Sequence, residues 1–239
     1  MLVELFEFQN KALGSLRERQ VKAQRRYKQD GEKSIIPFTA PTGAGKTIIM
    51  SAFIEALYTG DTYQGTQNDA IVLWISDAPE LNEQSKDKLY KVADKLRNRQ
   101  VVTIDEQNFK ADKLQLGTIY YVNTQKFGVN SNLVKYSDSR NYTGWDFMRN
   151  TIEEYGDKLV VIIDEAHRGA KPNEIGTQMS IMQKFVLGSE ADNMPSMPLI
   201  IGMSATLERF NELVESADST LLPKVEVTPD EVRASGLLK

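Results

Sequence analysis

The chain has 239 residues, of which 41% are hydrophobic and 26% are charged, and these proportions are typical of a globular domain with a sizeable core. It contains no cysteine, which excludes disulfides, thiolate metal sites and cysteine nucleophiles and favours a reducing, cytoplasmic compartment. No apolar run reaches about 18 residues, so no contact with a membrane is expected. The net charge of −4 argues against a broad basic surface, so any contact with nucleic acid must be local.

The first predicted elements are a helix over about residues 8–28 and a strand over residues 34–39. Between Lys11 and Lys28 the helix carries seven basic residues and one acidic residue. This stretch has two interpretations, a solvated helix face or a phosphate-binding patch, and the first is favoured. A second helix is predicted to begin near Lys46 and to stop at Gly60, because glycine commonly follows the last turn of a helix.

Nearly continuous apolar runs predict the remaining strands, at residues 70–75, 117–122, 159–163 and 198–203, with a weaker run at 101–104. Such strands are covered on both faces, and charged helical stretches lie between them. The sequence therefore predicts an α/β fold with a mainly parallel central sheet and helices on both sides, in one domain over residues 1–239. Residues 123–150 are polar and lack a clear period, which predicts a mobile loop, and residues 169–174 and 188–198 are predicted as loops as well.

A glycine-bearing turn joins the first strand to the second helix, and Ala40 and Pro41 open it. Its glycines let the backbone N–H groups point at a polyphosphate, and the helix N-terminus adds a favourable dipole. The lysine would reach the β and γ phosphates of ATP, while the threonine hydroxyl would ligate Mg²⁺. Ala40 replaces the glycine of the full P-loop pattern, and the alternative is an ordinary βα turn with a surface lysine. The predicted nucleotide-binding residues are Thr42, Gly43, Ala44, Gly45, Lys46 and Thr47.

An acidic pair, Asp164 and Glu165, directly follows the apolar run at residues 159–163. A P-loop enzyme needs a magnesium ligand and a group that activates water at this position. Asp164 would hold Mg²⁺, and Glu165 would orient and deprotonate the attacking water. The alternative, capping of a helix N-terminus, is common, but a P-loop in the same chain favours catalysis. His167, the only histidine, is predicted to couple the nucleotide to neighbouring elements.

Three motifs in order resemble motifs I, II and III of superfamily 2 helicases: Ala40–Thr47, Asp164-Glu165-Ala166-His167 and Ser204-Ala205-Thr206. The resemblance implies a three-layer RecA-like P-loop NTPase domain that uses ATP and Mg²⁺. It also implies that Ser204 and Thr206 couple ATP hydrolysis to domain movement, the alternative being a plain strand-terminal turn. The segment Leu5-Phe6-Glu7-Phe8-Gln9 is similar to the family's aromatic-Gln segment, so Gln9 is a candidate for adenine recognition.

Two further segments resemble helicase motifs that contact nucleic acid. Ser76 to Gln84 is similar to motif Ia, although Asp77-Ala78-Pro79 departs from the family's usual Pro-Thr loop. Asn123, Thr124 and Gln125 follow a strand and resemble the next loop that contacts the nucleic-acid backbone. Short hydroxyl and amide side chains suit phosphate and sugar contacts, and the alternative is a plain loop cap.

The sequences of residues 74–84 and 230–239 resemble those of the ATPase subunit of type III restriction enzymes. This resemblance implies a DNA helicase or translocase, with DNA favoured over RNA. It also implies a second RecA-like domain in the same chain, reached through a linker that starts at about residues 225–239, and a modification (methyltransferase) subunit as a further partner. Because the second domain supplies arginine fingers in such motors, hydrolysis by this chain alone is expected to be slow or undetectable.

Two other functions remain open at this point. In the first, the chain is a nucleotide-gated binding module, in which ATP controls affinity for nucleic acid or a partner and hydrolysis is incidental. In the second it is a P-loop kinase of small molecules, which would use Lys46 but would not need the motifs around Asp164 and Ser204.

Overall fold

The computed structural model describes residues 2–137, 141–166, 179–205 and 208–237. An eight-stranded sheet crosses the domain in the order β3-β4-β2-β5-β6-β1-β7, with β8 also paired to β1, and all its pairs are parallel. The strands are β1 (Ser34–Thr39), β2 (Ile71–Ser76), β3 (Val101–Thr103), β4 (Ile119–Asn123), β5 (Leu159–Ile163), β6 (Leu199–Ser204), β7 (Thr220–Leu221) and β8 (Val225–Glu226).

Helices cover both faces of this sheet, which confirms the predicted three-layer α/β architecture. They are α1 (Glu7–Asp30), α2 (Lys46–Thr59), α3 (Pro79–Val92), α4 (Gly144–Tyr155), α5 (Ile181–Leu187), α6 (Glu208–Glu215) and α7 (Pro229–Ala234). Alternate residues of each central strand are buried in two separate hydrophobic cores, one on each face of the sheet. Ile162 belongs to the core that includes residues of α1, α2, α3 and α7, whereas Ile163 belongs to the core that includes residues of α4, α5 and α6. The near-continuous apolar runs are thus explained, because both faces of each central strand are buried.

Helix α1 uses several of its basic residues inside the domain. Arg17 is fully buried, and its Nε donates to the Asp61 carboxylate at 2.6 Å. Lys11 Nζ donates to Glu231 at 2.7 Å, and Arg19 Nε donates to the Pro223 carbonyl at 2.9 Å. These contacts join α1 to the loop after α2 and to the last part of the chain, so the cluster of cations is not a purely solvated face.

The prediction of a loop over residues 123–150 is wrong at its C-terminal end, where α4 begins at Gly144. Thr143 caps the helix: its Oγ1 accepts the Asp146 N–H at 3.2 Å, and the Asp146 carboxylate accepts the Thr143 N–H at 2.9 Å. Buried Trp145, Phe147 and Met148 attach this helix to the core. The polar residues before Thr143 hid the amphipathic pattern, because a window that included them showed no period. The predicted loop at residues 169–174 lies outside the described residues.

A proline stands inside β1, a central strand of the sheet. Pro37 lies opposite Gly202 of the neighbouring strand β6. The N–H of Ser34 points toward β6 and donates to the Pro198 carbonyl at 3.0 Å. The carbonyls of Ile35 and Thr39 point to the other side and accept the N–H groups of Leu222 and Val227, both at 2.9 Å. Backbone groups of alternate residues in a strand point to the same side, so the backbone nitrogen of Pro37 points the same way as those of Ile35 and Thr39. This nitrogen carries no hydrogen, and it faces the gap between β7 and β8, where no hydrogen bond is needed.

The last described residues pack as part of the domain. Strand β8 pairs with β1, and Val225, Val227 and Val232 are buried in the core. The predicted linker to a second motor domain stays a prediction. Among the residues that the structure describes, no helix has the length and apolar composition to cross a membrane.

Candidate nucleotide site

The predicted site residues come together because the carboxyl ends of neighbouring parallel strands are in register. Asn123 pairs with Ser76, and Thr39 pairs with Ser204. The backbone N–H of Asp164, directly after β5, donates to the Ile75 carbonyl at 2.8 Å. Ligands of parallel α/β sheets bind beyond this edge of the sheet. Motifs that lie far apart in the chain therefore meet in one row.

The turn before α2 has the backbone of a phosphate-binding loop. Gly43 has φ 87° and Gly45 has φ 83°, both in the left-handed region that favours glycine. The Ala44 N–H donates back to the Pro41 carbonyl at 3.1 Å and closes the turn. Helix α2 starts at Lys46, and its first N–H groups lack intrahelical acceptors. They supply, with the helix dipole, an environment that favours an anion.

Lys46 and Gln9 both contact the loop itself. Lys46 Nζ donates to the Ala40 carbonyl at 3.1 Å. Gln9 is only 2% exposed; its Nε2 donates to the Ala44 carbonyl at 3.1 Å, and its Oε1 accepts the Phe6 N–H at 3.1 Å. A Cβ on Gly45 would lie 2.8 Å from Gln9 Nε2. Gln9 thus fixes the N-terminal segment against the turn, and these bonds use one of its two N–H donors and one of its two oxygen lone pairs.

Asp164 is 9% exposed, and its surroundings raise the pKa of its carboxyl group to about 6. Burial is the main cause, followed by the neighbouring Glu165 charge; the charge of Asp77 acts in the same direction. The Glu165 backbone N–H and the Lys46 ammonium oppose the rise. A cation placed beside Asp164 would relieve the electrostatic penalty of ionising it. The environment is therefore suited to a carboxylate that works with a metal ion.

Glu165 adopts φ 51°, a left-handed conformation that is uncommon for a residue other than glycine. The chain is held on both sides of it, since the Asp164 N–H donates to Ile75 and the Ala166 N–H donates to Met203 at 2.9 Å. Such strain is retained where the surrounding structure enforces it, and it is concentrated at functional sites. The turn places two successive carboxyl groups at the end of one strand.

The residues fit Mg²⁺ only in the presence of a polyphosphate. No group of three or more His, Cys, Asp and Glu side chains that could hold a metal occurs among the described residues. Asp164 and the Thr47 hydroxyl offer oxygen donors, and Mg²⁺ characteristically combines one or two such ligands with phosphate oxygens and water.

The other predicted residues fall into three groups. Ser204 is buried at the end of β6, and nearby Thr39 Oγ1 donates to the Ala205 carbonyl at 3.3 Å. His167 and Thr206 lie outside the described residues. The predicted nucleic-acid residues stand at the end of β4, where Asn123 is buried, Thr124 is half-buried and Gln125 is exposed.

Helix α7 lies near the aromatic-Gln segment, a proximity that no sequence motif predicts. A cleft of about 380 Å³ opens between the rings of Phe6 and Phe8, which stack at 5.9 Å, and helix α7. Ala234 and Ser235 line it on the side of α7. Only tertiary packing could reveal this cleft, because its walls are more than 200 residues apart in the chain. Asp77 was noticed only as a departure from motif Ia, yet its charge acts on Asp164.

Comparisons with known proteins give a family match over most of the chain. Residues 3–209 match the family described as "Type III restriction enzyme, res subunit". No curated protein matches the chain. Among solved structures, a variant of S. cerevisiae Dbp5 bound to RNA and ADP BeF3 is similar, with 15% identity and a TM-score of 0.48 over 95% of this chain and 51% of that one. The DUF1998 helicase MrfA bound to DNA has 19% identity and a TM-score of 0.48 over 92% of this chain and 29% of that one. The chain thus spans about half of the first and under a third of the second.

Proposed function

The chain belongs to the family of the type III restriction enzyme res subunit, and on that premise we propose that it is the first motor domain of a DNA helicase or translocase driven by ATP. The observation that carries the proposal is the meeting of the glycine turn before α2 with the acidic pair after β5. A kinase of small molecules would use the turn but has no need for the strained Glu165 or for the motif at the end of β6. A restriction system, a methyltransferase partner and a cytoplasmic location are further parts of the proposal, which the family and the lack of cysteine support.

Each residue of the site has a distinct task in this function. The N–H groups of Thr42 to Thr47 bind the phosphates, and Lys46 exchanges the Ala40 carbonyl for a phosphate oxygen. Asp164 and Thr47 would hold Mg²⁺, which would neutralise phosphate charge. Glu165 orients the attacking water and takes its proton. Gln9 recognises the base, and Ser204, with His167 and Thr206, transmits the state of the nucleotide to the second domain.

Calorimetric titration with a non-hydrolysable ATP analogue, with and without Mg²⁺, tests the nucleotide site. We expect Mg²⁺-dependent binding by the chain, loss of that binding in Lys46→Ala, and no change in Lys22→Ala, which removes an exposed lysine from α1. Binding that survives Lys46→Ala at parental strength would refute the phosphate role of the turn.

Nucleic-acid stimulation of hydrolysis in a protein that also carries the second domain separates a motor from a nucleotide-gated binding module. A motor is expected to hydrolyse ATP faster when DNA is added. A rate that is independent of nucleic acid, combined with an ATP-dependent change in affinity for it, favours the binding module.

A further inference from the structure

The segment between β4 and α4 is a built structure at the carboxyl edge of the sheet. Leu133 is fully buried, and Phe127 packs on Trp145 with ring centroids 4.7 Å apart. Ser131 caps a short 3-10 helix, Asn132–Val134, by accepting the Leu133 N–H at 3.1 Å. These anchors fix the path of residues 128–137, which begin directly after the segment that includes Gln125.

Two apolar side chains project from this anchored segment. Val129 is 74% exposed and Tyr136 is 72% exposed, the highest values for large hydrophobic residues in the described part of the chain. The Tyr136 hydroxyl donates to the Asp146 carboxylate at the start of α4, and that bond raises the pKa of the tyrosine. The ring is therefore held at its hydroxyl end while its sides face solvent. A restrained exposed ring loses little conformational entropy when a flat partner stacks on it.

The segment carries basic and amide side chains. Residues 124–137 include two lysines, Lys126 and Lys135, of which Lys126 is paired with an acidic residue, and Asp138 follows directly. Lys126 Nζ lies 2.8 Å from the Glu106 carboxylate, and Lys135 Nζ reaches the Asn130 carbonyl at 3.4 Å. Gln125 and Asn130 are exposed amides that can bond to phosphate and sugar oxygens. An aromatic ring beside basic and amide groups is the composition of a surface that binds single strands.

We propose that Tyr136 is a base-stacking platform, which binds a single strand of nucleic acid as it leaves the predicted backbone contacts at Asn123, Thr124 and Gln125. The proposal rests on the proposed function, since it places the same nucleic acid on a defined surface. Stacking accepts every base, so the platform adds affinity for single strands without sequence preference. Duplex DNA, whose bases are already stacked on one another, gains nothing from the ring.

The test uses the 239-residue chain and a single-stranded oligonucleotide that contains 2-aminopurine, titrated at several salt concentrations. We expect Tyr136→Ala to weaken binding by at least about fivefold, and Tyr136→Phe to weaken it less because the ring remains. The slope of log Kd against log salt is expected to stay unchanged in Tyr136→Ala, because no ionic contact is removed. Lys135→Ala is expected to reduce that slope by about 0.7.

Tyr63→Ala is the matched control, because Tyr63 is 47% exposed but lies in the loop before β2, at the opposite edge of the sheet. Its affinity is expected to equal that of the parent chain. If the parent binds the oligonucleotide and Tyr136→Ala binds it equally well, the platform is overturned and the proposed function stands. If the parent binds no nucleic acid, the platform and the nucleic-acid part of the proposed function both fail. A loss of affinity for duplex as large as that for the single strand would also overturn the platform.

Discussion

At the scale of single residues, the acidic pair after β5 shows how one position can serve function at the expense of stability. Asp164 is buried beside the charges of Glu165 and Asp77, and the rise of its pKa to about 6 records the unfavourable free energy of ionising it there. The sequence predicted Asp164 and Glu165 as a pair because they follow an apolar run. It could not predict the third carboxylate, since Asp77 approaches only through the pairing of β2 with β5.

Asp164→Asn is expected to stabilise the chain at neutral pH, measured without nucleotide and in the presence of a chelator. Because the folded pKa of about 6 exceeds the ordinary value of 3.8, the folded state binds the proton more tightly than the unfolded state. The parent therefore loses stability as pH rises from about 3.8 to about 6, and its stability stays lower above that range. The variant does not lose this stability, so its free energy of unfolding is expected to exceed that of the parent by up to about 3 kcal/mol above pH 6 and by little at pH 4. Urea unfolding at a series of pH values measures the difference, and Asp87→Asn, at an exposed position on α3, is the control. A stabilisation that is independent of pH would contradict the assignment.

Gly45→Ala is expected to lower both the free energy of unfolding and the affinity for nucleotide. The left-handed backbone costs an alanine about 1–2 kcal/mol, and the new Cβ would meet Gln9 Nε2 at 2.8 Å. Gly65→Ala is the control, because no atom lies within 4 Å of a Cβ there. Urea unfolding and calorimetric titration of both variants decide whether the turn needs this conformation; a variant as stable as the parent would show that it does not.

At the scale of elements, local patterns predicted what local physics determines. Strand β1 is an apolar run that ends at a glycine turn, and α2 lies between Lys46 and Gly60, so their bounds could be predicted from neighbouring residues alone. Helix α4 was missed because its signals are a Thr143 cap and buried aromatic residues just after a long polar stretch. The order of the strands in the sheet and the contact of α7 with α1 depend on residues far apart in the chain, which no local pattern encodes.

Thr143→Ala is expected to destabilise the domain by about 1 kcal/mol, because it removes the side chain that accepts the Asp146 N–H, one of the N–H groups in the first turn of α4 that have no acceptor within the helix. Thermal or urea unfolding measures the change, with Thr62→Ala, in an exposed loop, as the control. Equal stability of the two variants would mean that α4 is held by its buried residues alone.

At the scale of the whole molecule, the parallel sheet assembles the candidate site, and we expect the rest of the proposed activity to need a partner domain. The nucleotide would bind at the edge where β1, β5 and β6 end, with one side of it facing away from this domain. In motors of this kind, an arginine from a second domain stabilises the transition state and raises the rate of ATP hydrolysis by several orders of magnitude.

Slow or undetectable ATP hydrolysis is therefore expected from the chain alone, even when it binds the nucleotide. A sensitive phosphate-release assay measures the rate, and Glu165→Gln supplies the background. Rapid turnover by the parent that Glu165→Gln abolishes would show that no second domain is required.

The proline in β1 has a consequence for how this protein meets other copies of itself. A long sheet edge offers unpaired N–H and C=O groups that recruit another chain, and proteins suppress this with very short edge strands. Beyond β1 the sheet ends in two strands of two residues each, β7 and β8, separated by a gap that faces Pro37, and the strand at the other side, β3, has three residues. In the described part of the chain, neither border offers a run long enough to template a further strand. A chain whose sheet is built from strongly apolar strands is in this way protected from polymerising along them.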